Sequence, residues 1–438
     1  MNLDEFYRRR KALLRIMGPN SLAILPSAPP SERNQGIHYP YRQNSDFYYL
    51  TGFNEPEAIA VLSPGKDAEY TLFCRNRDPK QAIWHGVVAG PEGAVRQFGA
   101  DAAFSIDELD EKLLTMLEKS KRLYYSLGCN IELDLQIGEW LNYIRNKIRT
   151  GIRGPTEITL LDHCLHEMRL IKSAAEIQAM RTAASISAQA HICLMQKCQP
   201  GMSEYELEAE FVRECIHNGA RHQAYSPIVG GGKNSCVLHY EDNKDVLHNG
   251  DLVLIDAGCE YDYYASDITR TFPINGRFNP VQRELYELVL EAQMAALDKL
   301  KPGNTWEDLQ NAAVNVITKG LLHLGVFKGT TRSIAKLIKS ERYKPFYMHK
   351  IGHWLGMDAH DVGSYKQDDE WRVFEPGMCL TVEPGIYIGQ DAMEAEEQWR
   401  GMGVRIEDDV VITANGYEVL SAAVPKQVKE IEALIGTA

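Results

Sequence analysis

The sequence predicts an α/β domain over residues 1–172 followed by an α+β domain over residues 173–438. Three observations carry that prediction. A chain of 438 residues is longer than one typical domain, and 44% hydrophobic residues are enough for more than one core. The first part alternates short apolar extended runs with amphipathic helices. The second part repeats helices followed by pairs of strand-like runs, the pattern of helices on one side of a curved antiparallel sheet.

In chain order, MNLDEFYRRRKALLRIM has apolar residues at helical spacing with acids before bases, and it lacks the uninterrupted apolar core of a signal peptide. SLAILPSAPP, DFYYLTGF, AIAVLSP and EYTLFCR then read as short extended runs separated by Gly, Pro and Asp. ELDEKLLTMLEKS and LQIGEWLNYIRNKIR carry apolar positions every three or four residues, as helices covering a sheet do. Ser173 to Glu176 fits a capping box and opens the long helical segment EIQAMRTAASISAQAHICLMQK, so the domain junction is expected there. A second capping box at Ser203 to Glu206, Pro280 at a helix start, and WEDLQNAAVNVITKGLLHLG mark three further helices.

Between and after these helices stand Asp256, Asp267, His353, Glu383 and Glu407, each in a short punctuated motif. In LVLIDAGCEYDYYASDITRTF, a hairpin closing on Tyr261 and Asp262 would place Asp256 directly opposite Asp267, with both side chains on one face. Facing like charges are destabilising unless one carboxyl is protonated or a cation lies between them. Glu383 ends an extended run in MCLTVEPGIYI, where Pro384 disfavours helix before it. Glu407 lies in GVRIEDDVVIT with Arg405 two residues earlier on the same strand face, and a polar loop from Gly389 to Met402 joins the two runs. His353, in MHKIGHWLGMDAHDVG, sits among glycines that favour irregular, closely approaching backbone. Any one of these acids alone reads as a solvated or salt-bridged residue, but charges at the ends of apolar strands need partners or a metal. One imidazole and four carboxylates suit harder ions, and four negative charges balance two dications rather than one. Such ions lie roughly 3.5–4 Å apart and acidify a water held between them.

Composition narrows the partners. The formal charge of −13 disfavours nucleic acid and anionic membranes, and no run approaches the length of a transmembrane helix. The nine cysteines are scattered without a C-x-x-C pair, the usage of a reducing compartment, so a cytoplasmic protein is expected.

LVLIDAGCEY, ASDITRTFPINGRF, HWLGMDAHDVG, LTVEPGIYI and RGMGVRIEDDVVIT resemble the pita-bread metallopeptidases, and within them the bacterial Xaa-Pro aminopeptidases (aminopeptidase P). YPYRQNSDFYYLTGFNEPEAIAVL and LHEMRLIKS extend the resemblance over nearly the whole chain. It implies a pita-bread catalytic domain with two pseudo-symmetric halves, two metal ions, expected to be Mn(2+), and release of the N-terminal residue from peptides with proline second. It also implies that Asp267 and Glu407 bridge the metals, that Asp256 binds one and that His353 and Glu383 bind the other. Glu383 would accept the proton of the attacking water and help protonate the leaving nitrogen, His239 and His360 would line the site as substrate or proton-transfer groups, and Arg405 would orient carboxylates. A dimer or tetramer with subunit contacts from the N-terminal domain is implied too. A prolidase, a methionine aminopeptidase and a non-catalytic peptide-binding module share this fold; the long N-terminal domain and the intact set of five ligands speak against the last two.

Two weaker signals fail on inspection. His349 and His353 have the spacing of H-E-x-x-H zinc peptidases, but Lys350 stands where the glutamate base would be. Gly230-Gly231-Gly232-Lys233 lacks the spacing and the Ser or Thr of a phosphate loop, so it reads as a binding turn ahead of His239. The resembled family usually has an acid where Lys233 stands and glycine where Ser235 stands, so this loop departs from the pattern.

Overall fold

The computed structural model describes residues 1–327 and 332–436. The chain divides into two compact units, Met1–Met168 and Arg169–Ala438, each with its own core.

The first unit is built on a six-stranded mixed sheet in the order Ala102–Ser105, Tyr70–Cys74, Ile59–Leu62, Ser21–Pro26, Arg122–Tyr124, Glu157–Thr159. The middle strands are antiparallel neighbours, and the outer ones join in parallel through helical crossovers. Helices Leu109–Leu117 and Ile131–Asn146 bury the stripes Leu109, Leu113, Leu117 and Leu133, Ile137, Trp140, Ile144 against Leu22, Ile24, Val61 and Phe73. Each such side chain contributes about 1.5–3 kcal/mol by leaving water. One sequence expectation is corrected in this unit. DFYYLTGF is not extended: Ser45–Thr51 is a helix, with the Asn44 side chain accepting from Phe47 N–H at 3.0 Å and Gly52 closing it in the left-handed region. The two caps satisfy terminal backbone groups locally and outweigh the β preference of the aromatic run.

The second unit opens on helix Ala174–Lys197, whose capping box at Ser173 and Glu176 forms as expected. Its buried face is rich in alanine (Ala179, Ala183, Ala184, Ala188, Ala190), which lets the helix lie close to the hairpin that carries Asp256 and Asp267. Three antiparallel strands, Ile228–Gly231, Leu252–Asp256 and Thr269–Pro273, form one sheet; Cys379–Val382, Asp408–Thr413 and Gly416–Val419 form another. Helices Pro280–Leu297 and Trp306–His323 pack on each other and share one continuous apolar core with these sheets.

The hairpin register also differs from expectation. Tyr261 pairs with Tyr264 and Asp256 with Thr269, so the turn falls on Asp262 and Tyr263, and Asp256 does not face Asp267 directly. Asp262 and Tyr263 both have positive φ, 50° and 70°, the twist a two-residue hairpin turn needs. Moving the turn by one residue shifts the pairing by two, so Asp267 lies diagonal to Asp256 on the same face. Asp267 instead stands across from Gly258, and a Cβ on Gly258 would lie 1.8 Å from Ser266 O.

Candidate active site

Glu383 and Glu407 occupy matching breaks in two paired chains. Cys379–Val382 pairs with Asp408–Thr413, and Gly385–Ile388 pairs with Met402–Arg405, leaving residues 383–384 and 406–407 between the two ladders. Pro384 cannot donate to a ladder, so the pairing yields there. Backbone bonds from Glu383 N–H to Ile351 O (2.8 Å) and from Glu407 N–H to Thr269 O (3.1 Å) hold both acids in place. The loop bearing His353 is pinned beside them: His353 N–H donates to Thr381 Oγ1 (3.1 Å), and Thr381 N–H to His353 O (3.0 Å). Gly352 permits this approach, because a Cβ there would lie 2.1 Å from Thr381 O.

These elements bring Asp256, Asp267, His353, Glu383 and Glu407 to the wall of one cavity of about 970 Å³, together with His239, His360, His349 and Arg405. Asp267, His353 and Glu407 offer ligand atoms that all lie within 4.8 Å of one another. His353 Nε2 is 3.4 Å from Asp267 Oδ2 and 3.6 Å from Glu383 Oε1, while its Nδ1 donates to Trp354 O at 3.0 Å. That bond orients the ring with Nε2 toward the carboxylates, the arrangement of a metal-ligating histidine.

Electrostatically the cluster is rich in buried negative charge. Burial and the neighbouring Asp267, Glu383 and Asp256 push the Glu407 carboxyl well above the usual range. Glu383 is pushed up to about 7 by burial, with Asp267 and Asp256 adding to the shift against His353 and Arg405. Burial would lower His353, but Asp267 and Glu383 raise it to about 9. Tyr225 Oη lies 2.7 Å from Asp256 Oδ1 and 2.5 Å from Asp267 Oδ1. A hydroxyl has one proton to give, so one of these two oxygen pairs has none from the tyrosine. A hard divalent cation among the acids relieves that repulsion, and the all-oxygen-plus-one-imidazole donor set fits such ions.

Arg405 is buried beside the acids rather than on the surface. It donates to Asp256 Oδ2 (2.6 Å), Thr269 Oγ1 (3.2 Å) and Tyr387 Oη (2.9 Å). Tyr387 Oη in turn lies 2.9 Å from His349 Nε2, and His349 Nδ1 is bonded to Lys350 O at 2.8 Å. Burial and Arg405 lower His349 to about 4, so it is neutral at pH 7. His239 and His360 are exposed to the cavity, and the His360 ring lies 4.4 Å from that of His353.

Sequence reasoning missed several members. Tyr225 follows no motif and reaches the acids only because strand His222–Gln223 pairs with Cys259 and Glu260. Asp409 accepts the Asp267 N–H at 3.0 Å, and Thr269 Oγ1 donates to Glu407 Oε2 at 2.6 Å. Ser235 proves to be a buried tie, its Oγ accepting from Gly403 N–H at 2.8 Å and so joining the glycine-rich turn to the Arg405 strand. Lys233 is exposed and does not line the cavity.

Residues 178–414 match the model of "Metallopeptidase family M24", and residues 6–124 match "Aminopeptidase P, N-terminal domain". The chain is 46% identical to the Xaa-Pro aminopeptidase of Escherichia coli, over 99% of this chain and 97% of that protein. Among solved structures, aminopeptidase PepP of Pseudomonas aeruginosa superposes with a TM-score of 0.97 at 55% identity, covering 99% of this chain and 98% of that one. Zinc-substituted E. coli aminopeptidase P in complex with product gives 0.96 at 45% identity, with coverage of 99% and 98%.

Proposed function

The chain belongs to metallopeptidase family M24, and from that membership we propose that it releases the N-terminal residue from peptides whose second residue is proline. The observation that carries the reading is the meeting of four carboxylates and His353 at one cavity, in a catalytic domain of pita-bread type joined to an aminopeptidase P N-terminal domain.

Asp256, Asp267, His353, Glu383 and Glu407 would hold two divalent ions. When bound, the ions supply Lewis acidity and an acidified water. Glu383 takes up a proton from the attacking water and returns it to the departing nitrogen. Proline's nitrogen is a tertiary amide with no N–H, so recognition rests on other contacts, for which His239 and His360 face the cavity. Tyr225, whose hydroxyl burial and the neighbouring acids keep protonated, donates its one proton to either Asp256 or Asp267 and lies within hydrogen-bond distance of both.

Manganese is our choice for the resident ion, because carboxylates outnumber imidazoles four to one among the proposed ligands. We place the protein in the cytoplasm as a dimer or tetramer; nine free cysteines suit a reducing compartment, and no helix among the described residues is long and apolar enough to cross a membrane. The negative net charge argues against nucleic acid as a partner.

Tripeptides Xaa-Pro-Yaa and dipeptides Xaa-Pro at equal concentration test the reading. Both present the same scissile bond, so a rate difference arises beyond proline. Arg405 is bonded to Asp256 and Tyr387, and Lys350 shares the cavity wall with Glu241 and Glu307, so the lining is mixed in charge rather than a cationic trap for a dipeptide's carboxylate. The tripeptide should be cleaved at least about tenfold more efficiently, about 1.4 kcal/mol in transition-state binding. Preference for the dipeptide would make the protein a prolidase, and cleavage of neither by metal-loaded protein would favour a peptide-binding role.

A further inference from the structure

We propose that Asp361, clamped by Lys172 and Arg169, is a positioning residue that fixes His360 in the active-site cavity. The two neighbours on the chain have opposite surroundings. His360 is exposed to the cavity, whereas the Asp361 side chain is 1% exposed and bonded at both oxygens. Oδ1 accepts from Arg169 Nη2 at 2.6 Å and Oδ2 from Lys172 Nζ at 2.9 Å; the side chains of these cations are 3% and 1% exposed. Arg169 Nη2 also reaches Asp358 Oδ2 at 2.7 Å, so the loop is gripped at two points within four residues.

The grip is referenced to the rest of the site. Asp361 N–H donates to Trp354 O at 2.9 Å, the same carbonyl that accepts from His353 Nδ1 at 3.0 Å, so one oxygen orients the His353 ring and closes the His360 loop. Lys172 N–H donates to Gly377 O at 2.9 Å, and Ile171 bridges Met378, immediately ahead of the strand Cys379–Val382 that leads to Glu383. Gly356 leaves room for the clamp: a Cβ there would lie 2.1 Å from Asp361 Oδ2 and 2.9 Å from Lys172 Cε. Buried ion pairs often add little net stability over apolar replacements, because desolvation offsets their attraction. Their geometry is what an apolar cluster could not reproduce, and here it sets the exit point of a cavity-facing histidine from its loop.

The inference rests on the aminopeptidase reading, and its test separates the two. Lys172→Met and Asp361→Asn are compared with the unmodified enzyme, each also in a His360→Ala background, with kcat and KM on an Xaa-Pro-Yaa peptide, metal content and Tm recorded. Lys172→Met keeps Asp361 paired with Arg169 and serves where Asp361→Asn does not fold. In the His360-containing enzyme, kcat should fall by about tenfold to a hundredfold with two metals retained. Lys172→Arg, which keeps the cation, should recover part of the loss. In the His360→Ala background the same substitutions should change kcat less than about threefold, because the group they orient is gone. Equal losses in both backgrounds would make the cluster a purely structural element and overturn the proposal. A crystal structure of Lys172→Met gives a readout independent of turnover. The His353–His360 ring separation should depart from 4.4 Å, and an unmoved loop overturns the proposal even if the protein proves not to be a peptidase.

Discussion

Replacing Gly258 by alanine adds one methyl group at the place where the hairpin brings Asp267 to the site. Gly258 has no positive φ, so the cost is steric rather than conformational. The added Cβ would lie 1.8 Å from Ser266 O and 3.1 Å from Asp267 N, and real Cβ contacts essentially never fall below 3.0 Å. At least 3.0 − 1.8 = 1.2 Å must open between the two strands. The strands are held on either side by Ser266 N–H to Cys259 O (3.0 Å) and Ala257 N–H to Ile268 O (3.1 Å), and Ala224 N–H ties Gly258 O at 2.9 Å. The hairpin therefore cannot swing away freely, and the displacement passes to Asp267, one residue beyond Ser266. Overpacking of this kind costs about 1–3 kcal/mol of stability. A shift of about 1 Å in a catalytic group costs on the order of a hundredfold in rate, about 2.7 kcal/mol. We expect kcat/KM on an Xaa-Pro-Yaa peptide to fall by that order and metal retention after dialysis to weaken, as read by elemental analysis. A Gly258→Ala enzyme within about threefold of the unmodified one, with an unchanged Tm, would refute the steric argument and the placing of Asp267 at the centre of the site.

Gly138→Ala is the same chemical change where a Cβ meets nothing within 4 Å, inside helix Ile131–Asn146, and should raise the stability of the first unit by about 0.5–1 kcal/mol without altering turnover. Denaturant unfolding reads this; a loss of stability would contradict it. Glu383→Gln removes a proton acceptor and a proposed ligand together, so kcat should fall by roughly 10² or more, and a near-normal rate would remove Glu383 from the proton path. Chelation should abolish activity, manganese should restore it, and elemental analysis of reloaded protein should find two ions per chain; one ion or none would reject the site. Burial would raise Asp408, but Arg270 at 2.7 Å and the Lys426 ammonium hold its carboxyl below the usual range. A depressed folded pKa stabilises fully above the unfolded value near about 3.9 and is lost as pH falls through the folded value. The stability gap between Asp408→Asn and the unmodified protein should therefore narrow as pH drops from about 6 toward about 3, and a gap independent of pH would show that the ion cluster does not act through charge.

What was legible in the sequence was what neighbouring residues decide among themselves. Ser173 with Glu176 and Ser203 with Glu206 cap helices because donor and acceptor are three residues apart, and both boxes form. The four acids and His353 stood out because charge at the end of an apolar run is costly without a partner, whatever the fold. Local reasoning also erred where two local preferences competed. In DFYYLTGF the caps at Asn44 and Gly52 prevail over aromatic β propensity, and the hairpin turn settles on Asp262 and Tyr263 because of the twist it must match.

Tertiary structure decided everything that depends on distant segments meeting. Tyr225 reaches Asp256 and Asp267 across 31 and 42 residues, Arg405 reaches Asp256 across 149, and Lys172 reaches Asp361 across 189. No periodicity or spacing encodes such pairs, since their energy comes from burying opposite charges or sharing a proton in a place that exists only after the sheets have closed. Sequence thus determined which chemistry the chain can carry, by supplying acids that must be neutralised. Packing determined which oxygen faces which nitrogen, because only the assembled core excludes the water that would otherwise satisfy each of them singly.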